Sequence, residues 1–150
     1  MDNSEATVQK QPNQEDGRVI KLPKPNNMFS VDCTSSFDFF KWWCIMLRHF
    51  VRLTDRETDV IASFLKHRRE LSKSISDDSI LDTILMSDDV VNKVIEECKI
   101  SRQHFYVVMS TLRTKGVIRD GIIHRRLIPN TRDWDNGVFR LLIQFNEASI

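Results

Sequence analysis

Glycine is scarce in this chain, with four residues in 150. That leaves no glycine-rich phosphate loop, no dinucleotide fingerprint and no nucleophile elbow, and no H-E-x-x-H zinc motif stands in their place. Cysteine is equally thin. Cys33, Cys44 and Cys98 are odd in number and form no C-x-x-C with a histidine at ligand spacing, which argues against a disulfide framework and a zinc site and reads as reduced thiols of a cytosolic product. No apolar run is long enough to cross a bilayer, and the first residues lack the basic start and apolar core of a signal peptide. Nor does one charge dominate: the formal net charge is +1, so any electrostatic pull on nucleic acid or membrane has to be local. Carboxylates are plentiful, but Asp77-Asp78 and Asp88-Asp89 fall at helix starts, where acids serve the helix dipole. His104 and His124 stand alone and read as solvated. These absences point to a non-enzymatic protein with no cofactor, no metal, no small-molecule substrate and no membrane association.

What is present is an ordinary globular composition, 41% hydrophobic and 29% charged, enough for one domain plus a tail. Residues 1–35 are polar, contain Pro12, Pro23 and Pro25, and are expected to form an extended or disordered tail. Its few apolar residues, Val19, Ile20, Leu22 and Phe29, are candidate contacts with a partner. From Ser36 the texture changes. F-D-F-F-K-W-W-C-I-M-L-R-H-F-V-R predicts an apolar helix within 36–52, packed on the domain or on a partner, with Phe39, Phe40, Trp43, Met46, Leu47 and Phe50 as its inner stripe. Trp42 and Ile45 lie off the centre of that stripe and are candidates for a subunit interface.

The domain proper is expected over 53–150. Thr54 stands three residues before Glu57, the spacing of a capping box, and Val60, Ile61, Phe64, Leu65 and Leu71 give the helix that follows its inner face. Lys66, His67, Arg68 and Arg69 crowd its last turns, where cations complement the dipole. S-D-D-S-I-L-D-T-I-L-M predicts a short helix with Ile80, Leu81, Ile84 and Leu85 inward. The next, capped by Ser87, turns Val91, Val94, Ile95 and Cys98 inward.

The chain is organised around S-R-Q-H-F-Y-V-V-M-S-T-L-R-T-K-G, from Ser101 to Gly116. Ser101 suits the N-cap and Gly116 the left-handed residue past the last turn. Phe105, Val108, Met109 and Leu112 repeat at i, i+3, i+4 and i+7 and face a core, leaving Arg102, Gln103, Tyr106, Ser110 and Arg113 outward. Two residues, Lys99 and Ile100, separate this helix from the one before it. Downstream, V-I-R-D-G-I-I-H places Asp120-Gly121 between apolar pairs, a two-residue hairpin turn. V-F-R-L-L-I-Q-F then alternates Phe139, Leu141, Ile143 and Phe145 with Arg140, Leu142 and Gln144, and is expected to add a third strand.

Helix, tight turn, helix and hairpin, carried by V-V-N-K-V-I-E-E-C-K-I-S-R-Q-H-F-Y-V-V-M-S-T-L-R-T-K-G-V-I and the D-G turn, resemble the winged helix-turn-helix family. L-T-D-R-E-T-D-V-I-A-S-F-L is a common opening for the first helix of such domains. The resemblance implies a mainly α fold with a small β wing, preceded here by the apolar helix and the extended tail. Two positions depart from the family pattern: Ile95 stands where a small residue is usual and Lys99 where glycine is frequent, and both bear on how the helices cross.

Two functions follow from the sequence. The segment V-I-R-D-G-I-I-H-R-R-L-I-P-N leading into F-R-L-L-I-Q-F is similar to the small winged-helix proteins of tailed bacteriophages. That similarity implies a structural protein of the virion, in a homo-oligomeric ring at the head-to-tail neck with other virion proteins as partners. The near-zero net charge, the segregation of acids (Asp77 to Glu97) from bases (Lys99 to Arg126) and the apolar-flecked tail fit this reading, which is narrowly preferred. The alternative is a cytoplasmic DNA-binding protein of a bacterial host, a transcription regulator or replication accessory. There Arg102, Gln103, Tyr106 and Ser110 face bases in the major groove of double-stranded DNA, and Arg113, Arg119, His124, Arg125 and Arg126 hold phosphates.

Overall fold

Among the described residues, five helices and one small hairpin make up the fold. The computed structural model describes residues 31–132 and Phe139, and the elements below all lie in the unit Cys33–Ile150. In order they are α1 (Ser36–Leu47), α2 (Asp55–Ser72), α3 (Asp78–Leu85), α4 (Asp88–Cys98), α5 (Arg102–Thr114), β1 (Ile118–Arg119), β2 (Ile122–Ile123) and a single 3-10 turn, Arg125–Leu127. The protein is thus mainly helical with a two-stranded antiparallel sheet among the described residues. The third strand expected over 138–145 lies outside them, as do Val19, Ile20, Leu22 and Phe29; of residues 138–145 only Phe139 is described, in no regular element, half-buried with its ring against Phe39 and Trp43.

The central helix is α2, against which α1, α3, α4 and α5 all pack. Its start is the expected capping box: Thr54 Oγ1 accepts from the Glu57 N–H at 3.3 Å, and Glu57 Oε2 accepts from the Thr54 N–H at 2.8 Å. Val60, Ile61, Ala62, Phe64 and Leu65 are buried, and Phe64 meets Phe105 of α5 across the core. Helix α1 starts at the Ser35 cap and seats Phe39, Phe40 and Cys44 on α2. Its inner stripe differs from the expected one. Met46 and Phe50 are exposed: the buried face of α1 follows Phe39, Phe40 and Cys44, which leaves Met46 outside, and the helix ends at Leu47, before Phe50. Trp43, half-buried, donates from Nε1 to the Leu127 carbonyl at 2.8 Å and ties α1 to the 3-10 turn.

A second difference concerns α3. Leu81 and Leu85 are buried as expected, but Ile80 is 52% exposed and its inward place is taken by Asp82, 3% exposed. Arg68 of α2 explains this exchange, since its Nε lies 3.0 Å from Asp82 Oδ1. The basic run at the end of α2 is therefore a clamp as well as a complement to the dipole: Arg68 grips Asp82 and Asp78 of α3, and Lys66 pairs with Glu97 of α4. On α4, Val90 joins Val91, Val94 and Cys98 in the core while Ile95 is only half-buried. Ser87 stands at the N-cap of α4 without a side-chain capping bond. Asp88 and Asp89 supply the first-turn negative charge there.

Helix α5 follows the sequence closely. Phe105, Val108, Met109 and Leu112 are buried, and Ser101 Oγ accepts from the His104 N–H at 3.1 Å. Gly116, at φ +73°, closes the helix in a Schellman arrangement, in which the Val117 N–H reaches the Leu112 carbonyl and the Gly116 N–H the Arg113 carbonyl, both at 3.0 Å. Asp120 (φ +51°) and Gly121 (φ +76°) form the two-residue turn that pairs Ile118 with Ile123 and Arg119 with Ile122.

The turn between α4 and α5 is made in the same way around a non-glycine residue. Lys99 sits at φ 51°, ψ 45°, with the Ile100 N–H bonded to the Ile95 carbonyl. A side chain in the left-handed region costs about 1 kcal/mol. Lys99→Gly is therefore expected to raise the unfolding free energy by about that amount, read as a higher urea midpoint at unchanged slope; an unchanged or lower midpoint would show that the turn holds no strain.

Candidate interaction surfaces

Glu57 is the joint that places the end of α5 against the start of α2. Beyond its capping bond, its Oε1 accepts from the Thr111 hydroxyl at 2.7 Å and its Oε2 lies 2.6 Å from Lys115 Nζ. Burial alone raises its pKa, but the bonds from Lys115, Thr54 and Thr111 outweigh that and hold the carboxyl below its ordinary value. Its contribution to stability is present above the unfolded-state pKa and is lost as pH falls through the folded one. Lys115 also reaches the Arg52 carbonyl at 2.7 Å, so the turn after α1 is fixed beside the end of α5.

Between that turn, the end of α5 and the hairpin lies a groove of about 670 Å³. Arg52, Lys115, Arg119, His124 and Arg126 line it, Phe50 forms part of its wall, and no lining residue carries a carboxylate. Arg119 Nε donates to the Gly116 carbonyl at 3.2 Å, which lays its guanidinium against the left-handed glycine. His124 is half-buried rather than freely solvated, and its Nδ1 accepts from the Arg126 N–H at 3.3 Å. Lys115 is neutralised by Glu57, whereas Arg52, Arg119 and Arg126 have no carboxylate partner among the described residues.

The nine residues named for DNA do not form one site. Arg102, Gln103, Tyr106, Ser110 and Arg113 share the exposed side of α5, with Val107 exposed among them and Arg102 hydrogen-bonded to Asn92 of α4. Arg119, His124 and Arg126 belong to the groove. Arg125 turns instead toward Asp82, its Nη2 lying 3.8 Å from Oδ2. Arg113 and Tyr106 line a second, smaller hollow of about 180 Å³ beside Asp88, so acid borders the outward side of α5. The groove also contains Arg52 and Phe50, which sequence patterning alone does not assign to it, because the α1–α2 turn brings them there.

On α1, Trp42 is 46% exposed, and Ile45 and Met46 continue the same outward face to Phe50, which is 84% exposed. Trp42, Ile45 and Met46 repeat at i, i+3 and i+4 on α1, and Phe50, in the turn past its end, extends this apolar stripe to the groove. The outer side of α3 exposes Ile80 with half-buried Ile84 beside it. In the chain these residues follow Asp77, which caps α3, and precede the Asp88-Asp89 pair that starts α4.

Burial pushes the Cys44 thiol up to about 12 and that of Cys98 up to about 11, so neither supplies thiolate at neutral pH. Among the described residues, no group of three His, Cys, Asp or Glu side chains is placed to hold a metal ion, and no helix is long and apolar enough to cross a membrane. Comparison with protein-family models, with curated proteins and with solved structures finds no match.

Proposed function

We propose that the chain is a non-enzymatic assembly protein that uses a winged helix-turn-helix module as a protein-binding block in a homo-oligomeric ring, at the head-to-tail neck of a tailed phage virion. The apolar stripe of α1 carries the assembly reading. Trp42, Ile45 and Met46 are outward-facing on a helix whose other side is already seated on α2, Phe50 is exposed just past its end, and exposed aromatic surface marks protein contacts. The phage setting rests on the resemblance of the hairpin segment and the final alternating segment. Light scattering of the purified full chain tests the reading. The wild type is expected to grow with concentration into a defined oligomer that tolerates moderate salt, and Trp42→Glu with Ile45→Glu to remain smaller at equal concentration. A wild type that is monomeric at every concentration and never enters particles would refute it.

The basic groove favours a second reading, in which the hairpin and the end of α5 hold the phosphates of double-stranded DNA. Asp88 beside Arg113, the Asp88-Asp89 pair at the start of α4 and the exposed Val107 all weigh against α5 lying in a major groove, where phosphates would face those acids. Titration with a random duplex separates the two. DNA binding requires an affinity that falls with salt at a log-log slope of about −0.9 for each phosphate neutralised, whereas the assembly reading expects no such complex.

A further inference from the structure

The stripe and the groove are one continuous surface, since Phe50 belongs to both. Its character is apolar at one end and cationic at the other, with three guanidinium groups, on Arg52, Arg119 and Arg126, that have no carboxylate partner among the described residues. A partner that matches it must offer exposed aliphatic side chains next to acids that are themselves unpaired. The chain has such a surface on other elements. In chain order, exposed Ile80 and half-buried Ile84 of α3 are flanked by Asp77 before them and by Asp88-Asp89 at the start of α4 after them, and Asp88, Asp89 and Glu96 have no cationic side chain bonded to them among the described residues. The remaining acids near this side are already used: Asp78 by Arg68 and Arg132, Asp82 by Arg68, and Glu97 by Lys66.

Resting on the assembly reading, we infer that the groove and the α1 stripe of one molecule receive the acidic outer side of α3 and α4 of a second copy. The two surfaces differ, so the contact is head-to-tail. Repeated head-to-tail contacts close into a ring when the rotation between copies allows it and run on as a filament when it does not. The apolar residues supply the buried area, and the opposed charges fix the register and exclude the reverse pairing.

Charge exchange tests this on the full-length protein by sedimentation velocity. R119E/R126E makes the groove acidic, and D88K/D89K makes the rim of α4 basic. Each variant alone is expected to self-associate roughly a hundredfold or more weaker than the wild type, because each then meets its own charge. Mixed in equal amounts, the two are expected to assemble again in alternation, since every contact regains opposite charges. Circular dichroism establishes that each variant is folded. Lysines in the first turn of α4 oppose its dipole, so D89S/E96K replaces D88K/D89K if that pair melts.

If the wild type assembles and both variants assemble as well as it does, the inference fails while the assembly reading stands; that is also the result a symmetric α1-to-α1 contact gives. Two weakened variants that do not restore each other likewise overturn it. If R119E/R126E keeps its assembly but loses a salt-sensitive complex with random duplex, the groove is a nucleic-acid site and the inference fails. A wild type that never assembles removes both the inference and the reading beneath it.

Discussion

Replacing Arg68 with methionine is expected to cost the fold about 3–5 kcal/mol, the range for stripping the partner from a buried charge. The side chain of Arg68 is only 14% exposed, with Nε 3.0 Å from Asp82 Oδ1 and Nη2 3.3 Å from Asp78 Oδ1. Asp82 is the buried member of this clamp. Once Arg68 is gone, the nearest cation to its carboxylate is Arg125, 3.8 Å from an Oδ2 that is buried without a hydrogen bond. Asp82 is 3% exposed on the same helix as buried Leu81 and Leu85, so solvent offers its carboxylate little compensation. The same argument makes the double variant R68M/D82L recover most of the loss, because two apolar side chains leave no charge to solvate. Urea unfolding of the wild type and the two variants checks both statements. A single-variant loss below about 1 kcal/mol would show that Asp82 reaches solvent and that the clamp is an ordinary surface ion pair.

Phe40→Ala is the second large effect. Phe40 is fully buried, its ring edge-on to Phe39 at 5.1 Å, and it seats α1 on α2. Truncating a buried phenylalanine costs about 3–5 kcal/mol through lost transfer energy and the cavity left behind. Here the cavity falls where α1 meets the rest of the core. Helix α1 is expected to loosen before α2 to α5 unfold, so the Trp42 to Phe50 stripe loses its platform and, if the proposed assembly forms through it, self-association falls with it. Phe50→Ala is the control. That ring is exposed, so stability should change by no more than about 0.5 kcal/mol, while self-association still weakens. Thermal unfolding and sizing of the two variants separate folding from assembly. If Phe40→Ala lowers stability yet assembles as the wild type does, the stripe is not the contact.

Elements whose instructions are local are legible in the chain before it folds. The capping box of Thr54 and Glu57, the inner face and both ends of α5, and the Asp120-Gly121 turn are each written within a few residues, because a cap, a helical turn or a positive φ is satisfied by near neighbours. Even the departure at Lys99 was visible there, although its left-handed backbone was not. Packing selects which apolar residue is covered when a helix has more of them than its core can hold. Cys44 is buried and Met46 is not because α1 meets the core along one line, through Phe39, Phe40 and Cys44. Asp82 lies inside and Ile80 outside because Arg68, fourteen residues earlier, brings the charge that makes burial of a carboxylate tolerable. The groove is likewise a product of the fold. Arg52, Lys115, Arg119 and Arg126 come from a turn, a helix end, a strand and a 3-10 turn, and neutralisation of Lys115 by Glu57 depends on a contact across 58 residues. Periodicity reports which side of an element is apolar; which charges remain unpaired is set by through-space distances, and those exist only once the chain has folded.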